Sequence, residues 1–192
     1  MKKLLAFILT LAAVLSTVRM ETTAAGLPEK LLRLHVLAAS DSEADQSLKL
    51  RARDAVMDYL TPLLAECQSR REAERIAAEN LHAIAQIAAD ASGQTASAGL
   101  VRECFGLREY DGFALPAGDY SSLRIELDGG AGRNWWCVVF PPLCTTAAAD
   151  VPAAALAAGL SSDEVSLITE QEGYVLKFKA VELWESLQEK WK

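Results

Sequence analysis

The stretch Trp135-Trp136-Cys137-Val138-Val139-Phe140 is apolar at every position and stops at Pro141-Pro142. A strand with one wet face alternates apolar and polar residues, so an unbroken apolar run predicts a strand covered on both faces. The prolines close it, because neither can donate to a β-ladder. Such a strand needs a layer on each side. With 51% apolar residues in 192, the chain can bury a sizeable core.

The remaining periodicities say what those layers are. Leu31 to Leu37 alternates, with Leu32, Leu34 and Val36 on one face and Arg33 and His35 on the other, which predicts a half-buried strand. Ser42 and Asp45 form a capping box ahead of a helix with Leu48, Ala52, Ala55, Tyr59 and Leu63 as its apolar stripe. Pro62 should kink or end that helix. Ser69 and Glu72 cap a second helix carrying Ala73, Ile76, Ala77, Leu81, Ile84, Ala88 and Ala91, and Ser92-Gly93 stops it.

Ala96 to Phe105 predicts a strand, as does the alternation of Leu123, Ile125 and Leu127 with Arg124 and Glu126. Asp128-Gly129-Gly130-Ala131-Gly132 is turn chemistry. Residues 147–159 read as an alanine-rich surface insertion. Val165–Thr169 and Tyr174–Lys179 read as a hairpin, and a last helix places Val181, Trp184, Leu187 and Trp191 on one face. The sum predicts an α+β fold: a mixed or antiparallel sheet packed with two central helices and a C-terminal helix.

The N-terminus reads as an address. Lys2 and Lys3 precede an uncharged run from Leu4 to Val18, and the small pair Ala24–Ala25 follows. That run would rise about 22 Å as a helix, short of the roughly 30 Å hydrocarbon core, so a signal peptide over residues 1–25 fits better than a stable span. An uncleaved anchor is the other reading. Residues 26–192 are then one exported domain, more acidic than the whole chain at −7 because Lys2, Lys3 and Arg19 leave with the segment. Such a body lacks the cationic surface that nucleic acid and anionic lipid require.

Catalytic signals are sparse. Only His35 and His82 are present, with no closely spaced Cys motifs, so zinc is not expected. The Gly129–Gly132 run lacks the Lys-Ser/Thr of a phosphate loop. Cys137 or Cys144 could meet His35 across the sheet as a nucleophilic pair, although such histidines are more often strand-face residues. Cys137 and Cys144 flank the Pro-Pro turn and are the natural disulfide pair, provided the chain reverses there to bring their Cα atoms within about 7 Å. The alternative is two buried thiols. Adjacent Trp135 and Trp136 must point to opposite faces of a strand, so one can fill the core while the other meets a second layer or a partner.

Two blocks carry a family resemblance. Asn134-Trp135-Trp136-Cys137-Val138-Val139-Phe140-Pro141-Pro142-Leu143-Cys144 resembles the signature of the stage II sporulation protein R family. Leu32-Arg33-Leu34-His35-Val36-Leu37-Ala38, Ser40-Asp41-Ser42, Asp45-Gln46, Leu48-Lys49 and Arg53-Asp54 through Val56 agree with it. So do Leu115-Pro116-Ala117-Gly118, Leu123-Arg124-Ile125, and Lys177-Phe178-Lys179 before Val181-Glu182. The resemblance extends over about residues 30 to 185. The chain departs from the family at Ala39, where Asn is usual, in the weakly charged Asp128–Gly132 run, and at Thr145, where an aromatic is common.

The resemblance implies a secreted sporulation signal made in the forespore. It would be exported into the space between forespore and mother-cell membranes. Its partner there would be a membrane-embedded aspartic-type protease that matures the pro-form of the mother-cell sigma factor. No enzyme activity, cofactor, small-molecule substrate, nucleic acid or membrane binding beyond the signal segment is expected. Candidate contact residues are Asn134, Trp135, Trp136, Pro141 and Pro142, with Asp41, Ser42, Asp45 and Gln46 as a second group. The competing reading is an extracytoplasmic thiol-dependent hydrolase acting on cell wall; a passive structural protein of the intermembrane space is a third.

Overall fold

The computed structural model describes residues 22–144 and 150–169. Residues 22–26 are helical and lead into a 3-10 turn, Leu27–Glu29. The elements that follow are β1 (Leu32–Leu37), α1 (Glu43–Leu64), α2 (Arg70–Glu79), α3 (Leu81–Ser92), β2 (Ala96–Phe105), β3 (Arg108–Tyr110), β4 (Phe113–Leu115), β5 (Gly118–Leu127), β6 (Asn134–Phe140), α4 (Val151–Ala157) and α5 (Ser162–Thr169). The fold is α+β. Its main sheet is mixed, in the order β2-β5-β1-β6, and β3 and β4 pair as a separate hairpin. β1 runs parallel to β5 and antiparallel to β6, while β2 is antiparallel to β5.

One face of this sheet packs on the helices. Leu32, Leu34, Val36, Leu123, Ile125 and Leu127 meet Ala52, Val56, Leu60, Ile84 and Ala88 in one buried cluster. A second cluster fills part of the other face, joining Leu27, Leu31, Phe105, Phe113, Tyr120 and Val138 to Ala155, Leu160 and Ile168. β6 is thus covered on both faces. A bulge opposite Leu32/Arg33 lets both Val139 and Phe140 reach the helix side.

Several expectations change. β1 is buried along its whole length, not half-buried, because it is a central strand and its second face also lies under a layer. The buried stripe of α1 is Lys49, Ala52, Val56, Leu60 and Leu64, rotated by about one residue from the expected one. A lysine breaks the apolar pattern in sequence, but Lys49 satisfies its amine internally, on Gln46 Oε1 at 2.6 Å and the Arg133 carbonyl at 2.9 Å. α1 continues through Pro62 and ends two residues later.

The second helix is two. Asn80 interrupts it, accepting from the Tyr59 hydroxyl at 2.7 Å and donating to the Ile76 carbonyl at 2.8 Å. Both caps form: Ser42 Oγ accepts from Asp45 N at 3.1 Å and Ser69 Oγ from Glu72 N at 3.3 Å. Gly93 ends α3 at φ 72°, in the left-handed region that glycine enters freely. Part of the alanine-rich stretch is α4, whose Ala155 is core. Val165–Thr169 is helical, not a strand, with Val165, Leu167 and Ile168 buried. The expected strand at 174–179 and the final helix lie outside the described residues.

Candidate functional site

The turn between β5 and β6 and the loop between β1 and α1 form one structure. Gly132 N donates to the Ala38 carbonyl at 2.7 Å, and Arg133 N to Asp41 Oδ1 at 2.7 Å. Within the loop, Asp45 accepts from the Ser40 hydroxyl and from Gln94 Nε2, and Gln46 Nε2 donates to the Ser40 carbonyl at 2.8 Å. The hydroxyls of Ser40 and Ser42, then Gln94, hold the Asp45 carboxyl below its usual range. Asp45 and Gln46 therefore brace the loop from inside, while Asp41 and Ser42 are exposed.

This arrangement places Asp41 against Arg133, next to Asn134 at the start of β6, so two candidate segments distant in sequence meet at one end of the sheet. Pro141 and Pro142 are at the other end of β6. Six residue steps along a strand amount to roughly 20 Å, so they are not part of that surface. The Phe140–Pro141 peptide is cis, and Cys137 and Cys144 are joined by a disulfide with Cα atoms 6.0 Å apart. Around Pro142 is an apolar groove of about 190 Å³, lined by Leu64, Cys67, Phe140, Ala154 and Ala158.

The tryptophans diverge as a strand requires. Trp135 packs on the helix-side cluster with the Arg53 guanidinium 4.9 Å from its ring centre. Trp136 turns to the other face, stacked on His35 at 5.6 Å with Arg108 only 3.8 Å above it. Both rings are half-buried, each between protein and a guanidinium. Each guanidinium is placed for a cation–π contact with the face of its ring.

Sequence reasoning missed the polar network beneath Trp136. His35 Nδ1 lies 2.8 Å from Glu103 Oε2, and Arg124 Nη1 lies 3.6 Å from the same oxygen. Arg33 is fully buried, its guanidinium 3.8 Å from the Phe105 ring centre and its Nη2 donating to the Tyr110 hydroxyl at 2.5 Å. Burial pushes the Arg33 pKa down, opposed by Tyr110 and Tyr120, and it pushes both tyrosines up. The signal for this layer was the unbroken apolar run of β6, which already demanded cover on its second face.

The thiol-site geometry does not assemble. Cys137 is bonded to Cys144 and packs in the helix-side cluster, whereas His35 points to the opposite face. Among the described residues, no group of three or more His, Cys, Asp or Glu is placed to hold a metal ion. No described helix is long and apolar enough to cross a membrane.

A family model described as stage II sporulation protein R matches residues 28–150. The protein of that name from Bacillus subtilis (strain 168) is 38% identical over 123 residues, which is 62% of this chain and 55% of that relative. The match therefore spans little more than half of the relative's length. No solved structure matches the chain. The family match takes in β1 through β6 and the disulfide and stops before α4, short of the expected limit near residue 185.

Proposed function

The chain belongs to the stage II sporulation protein R family, and from that membership we propose that it is a secreted, non-enzymatic signal between the two compartments of a sporulating cell. In this reading Lys2-Lys3 and the Leu4–Val18 run export it from the forespore into the intermembrane space. There it activates a membrane-embedded aspartic-type protease, which matures the pro-form of the mother-cell sigma factor. The observation that carries the reading is the family match across the whole strand framework that presents Trp135 and Trp136.

Activation has a physical requirement. The signal must bind the protease's active state more tightly than its inactive state, since equal affinity shifts no equilibrium. The Asp41–Trp136 end of the sheet supports such contact, with half-buried Trp135 and Trp136 on opposite faces of β6 next to a braced loop. Deleting the gene in its host and following the sigma factor on a gel tests the proposal. Accumulation of the pro-form supports it; normal maturation contradicts it.

A further inference from the structure

β6 is an edge strand: β1 pairs with one side of it, and among the described residues no strand pairs with the other. In an antiparallel ladder, successive residues alternate between bonding the neighbour and pointing N–H and C=O away from it. Two contacts fix the phase. Ala38 N donates to the Arg133 carbonyl at 3.5 Å, so residues 133, 135 and 137 face β1. Val138 N instead donates outward, to Cys144 Sγ at 3.2 Å. The register is unbroken from Leu37/Asn134 to Arg33/Val138. Asn134 and Trp136 therefore direct their backbone N–H and C=O away from the sheet, roughly 7 Å apart along the edge.

The two edges of the sheet differ. β2, at the other edge, carries Arg102 and Glu103, charges of the kind that discourage an added strand. β6 has no charged residue. Its C-terminal half is closed by the chain itself, since the disulfide returns Cys144 to Val138 and residues 137–140 are buried. Its N-terminal half keeps Asn134 exposed and Trp135 and Trp136 half-buried. A strand laid there would set alternate side chains beside Trp136 on one face and Trp135 on the other, and β-branched residues pair well with aromatic neighbours.

We propose that the Asn134–Trp136 edge takes up an extended, uncharged segment of a partner protein as a fifth strand of the sheet. Main-chain hydrogen bonds supply the affinity, and the two indole rings select the side chains on either face. A second copy of this chain fits less well. Every twofold register centred on residues 134–136 sets Val138, already covered by Cys144, against Gly130, Gly132 or Asn134 of the other copy. Both copies would also carry the net charge of −7. Only the identity of the partner as a protein met at this surface rests on the signalling reading.

Amide exchange and peptide titration of the ¹⁵N-labelled protein test the proposal. In the free protein the Asn134 and Trp136 amides should exchange fast, while bonds to β1 protect those of Trp135 and Cys137. The probe is acetyl-Lys-Val-Thr-Val-Thr-Val-Lys-amide; its fully N-methylated counterpart keeps the side chains and charge but donates no backbone hydrogen bond. The expected result is saturable binding of the first peptide alone, with the Asn134 and Trp136 amides becoming protected. Asn134→Pro removes an outward N–H that the β1 ladder does not use, so the fold should hold. It should weaken the peptide about tenfold, and more than Asn134→Ala, which keeps the N–H. If Asn134→Pro does not fold, the N-methylated peptide decides the matter. No saturable binding, equal binding of both peptides, equal losses in the two folded variants, or a Trp136 amide already protected in the free protein would overturn the inference. So would sedimentation showing a dimer that closes this edge. A chain needed for sigma-factor maturation that ignores the peptide overturns this inference alone. One that pairs with the peptide but whose deletion leaves maturation normal overturns the signalling role alone.

Discussion

The Asp41 carboxylate accepts the backbone N–H of Arg133 at 2.7 Å, and this contact fastens the β1–α1 loop to the strand that carries Trp135 and Trp136. The approach is close because residue 132 has no side chain: a Cβ on Gly132 would overlap the Ser40 carbonyl. Backbone on both sides leaves nothing flexible to yield. Gly132→Ala should therefore destabilise the protein by about 2 kcal/mol, in the range of other overpacking changes. Asp41→Ala, at a largely exposed position, should cost about 1 kcal/mol. Urea unfolding of the two variants checks the order; an Asp41→Ala cost exceeding that of Gly132→Ala would contradict it.

Thiol accessibility follows from placement. Cys104 is exposed and Cys67 is buried, while Cys137 and Cys144 are bonded. A maleimide reagent should label Cys104 in the native protein, Cys67 only on unfolding, and the bonded pair only after reductant is added. Closing so short a loop should stabilise the protein by about 2.5 kcal/mol on the chain-entropy account, visible as a lower unfolding midpoint on reduction. Labelling of Cys137 in the unreduced, unfolded chain would exclude the bond.

Glu164 gives a pH signature. Burial raises its carboxyl pKa, but hydrogen bonds from Lys30 and Ser161 outweigh that and hold it below the usual glutamate range. Lys30 Nζ and Ser161 N each donate at 2.7 Å. A folded-state pKa below the unfolded value contributes stability above about pH 4.3, lost as pH falls through the folded value. Thermal unfolding between about pH 6 and pH 3 should fall more steeply for the native chain than for Glu164→Gln. Parallel curves would show that the contact carries no such linkage.

Arg33 separates packing from charge. It is fully buried, with rings of Phe105 and Tyr120 at 3.8 and 4.9 Å from its guanidinium carbon. Arg33→Ala leaves a void and should cost about 3 kcal/mol. Arg33→Met fills much of the same volume without a buried charge and should cost far less, or nothing. Equal losses in denaturant unfolding would mean that the ring contacts and the Tyr110 hydrogen bond, not volume, hold the site.

Local signals in the chain were reliable where the cause was local. Ser42 and Ser69 start helices and Gly93 ends one as their chemistry dictates, and the β6 apolar run is a doubly covered strand. Features decided by tertiary partners were not legible. Lys49 reads as a surface lysine until the Arg133 carbonyl is seen above it. Arg33 and His35 alternate like solvent-facing residues, yet the hairpin β3–β4 and β2 supply Tyr110, Phe105 and Glu103 to cover them. The joining of Asp41 to Arg133 depends on a loop docking that no spacing encodes.

Trp136→Ala tests most directly whether this end of the sheet is a signalling surface. One side of the ring lies on His35 and the other under exposed Arg108, so truncation should cost the fold modestly, about 1–2 kcal/mol. An interface tryptophan typically costs about 2 kcal/mol or more, roughly thirtyfold in partner affinity. The decisive measurement pairs thermal unfolding of Trp136→Ala with a gel of sigma-factor maturation in cells carrying it. The account predicts a folded protein that leaves the sigma factor in its pro-form. Normal maturation, or a loss that only tracks lost stability, would contradict it.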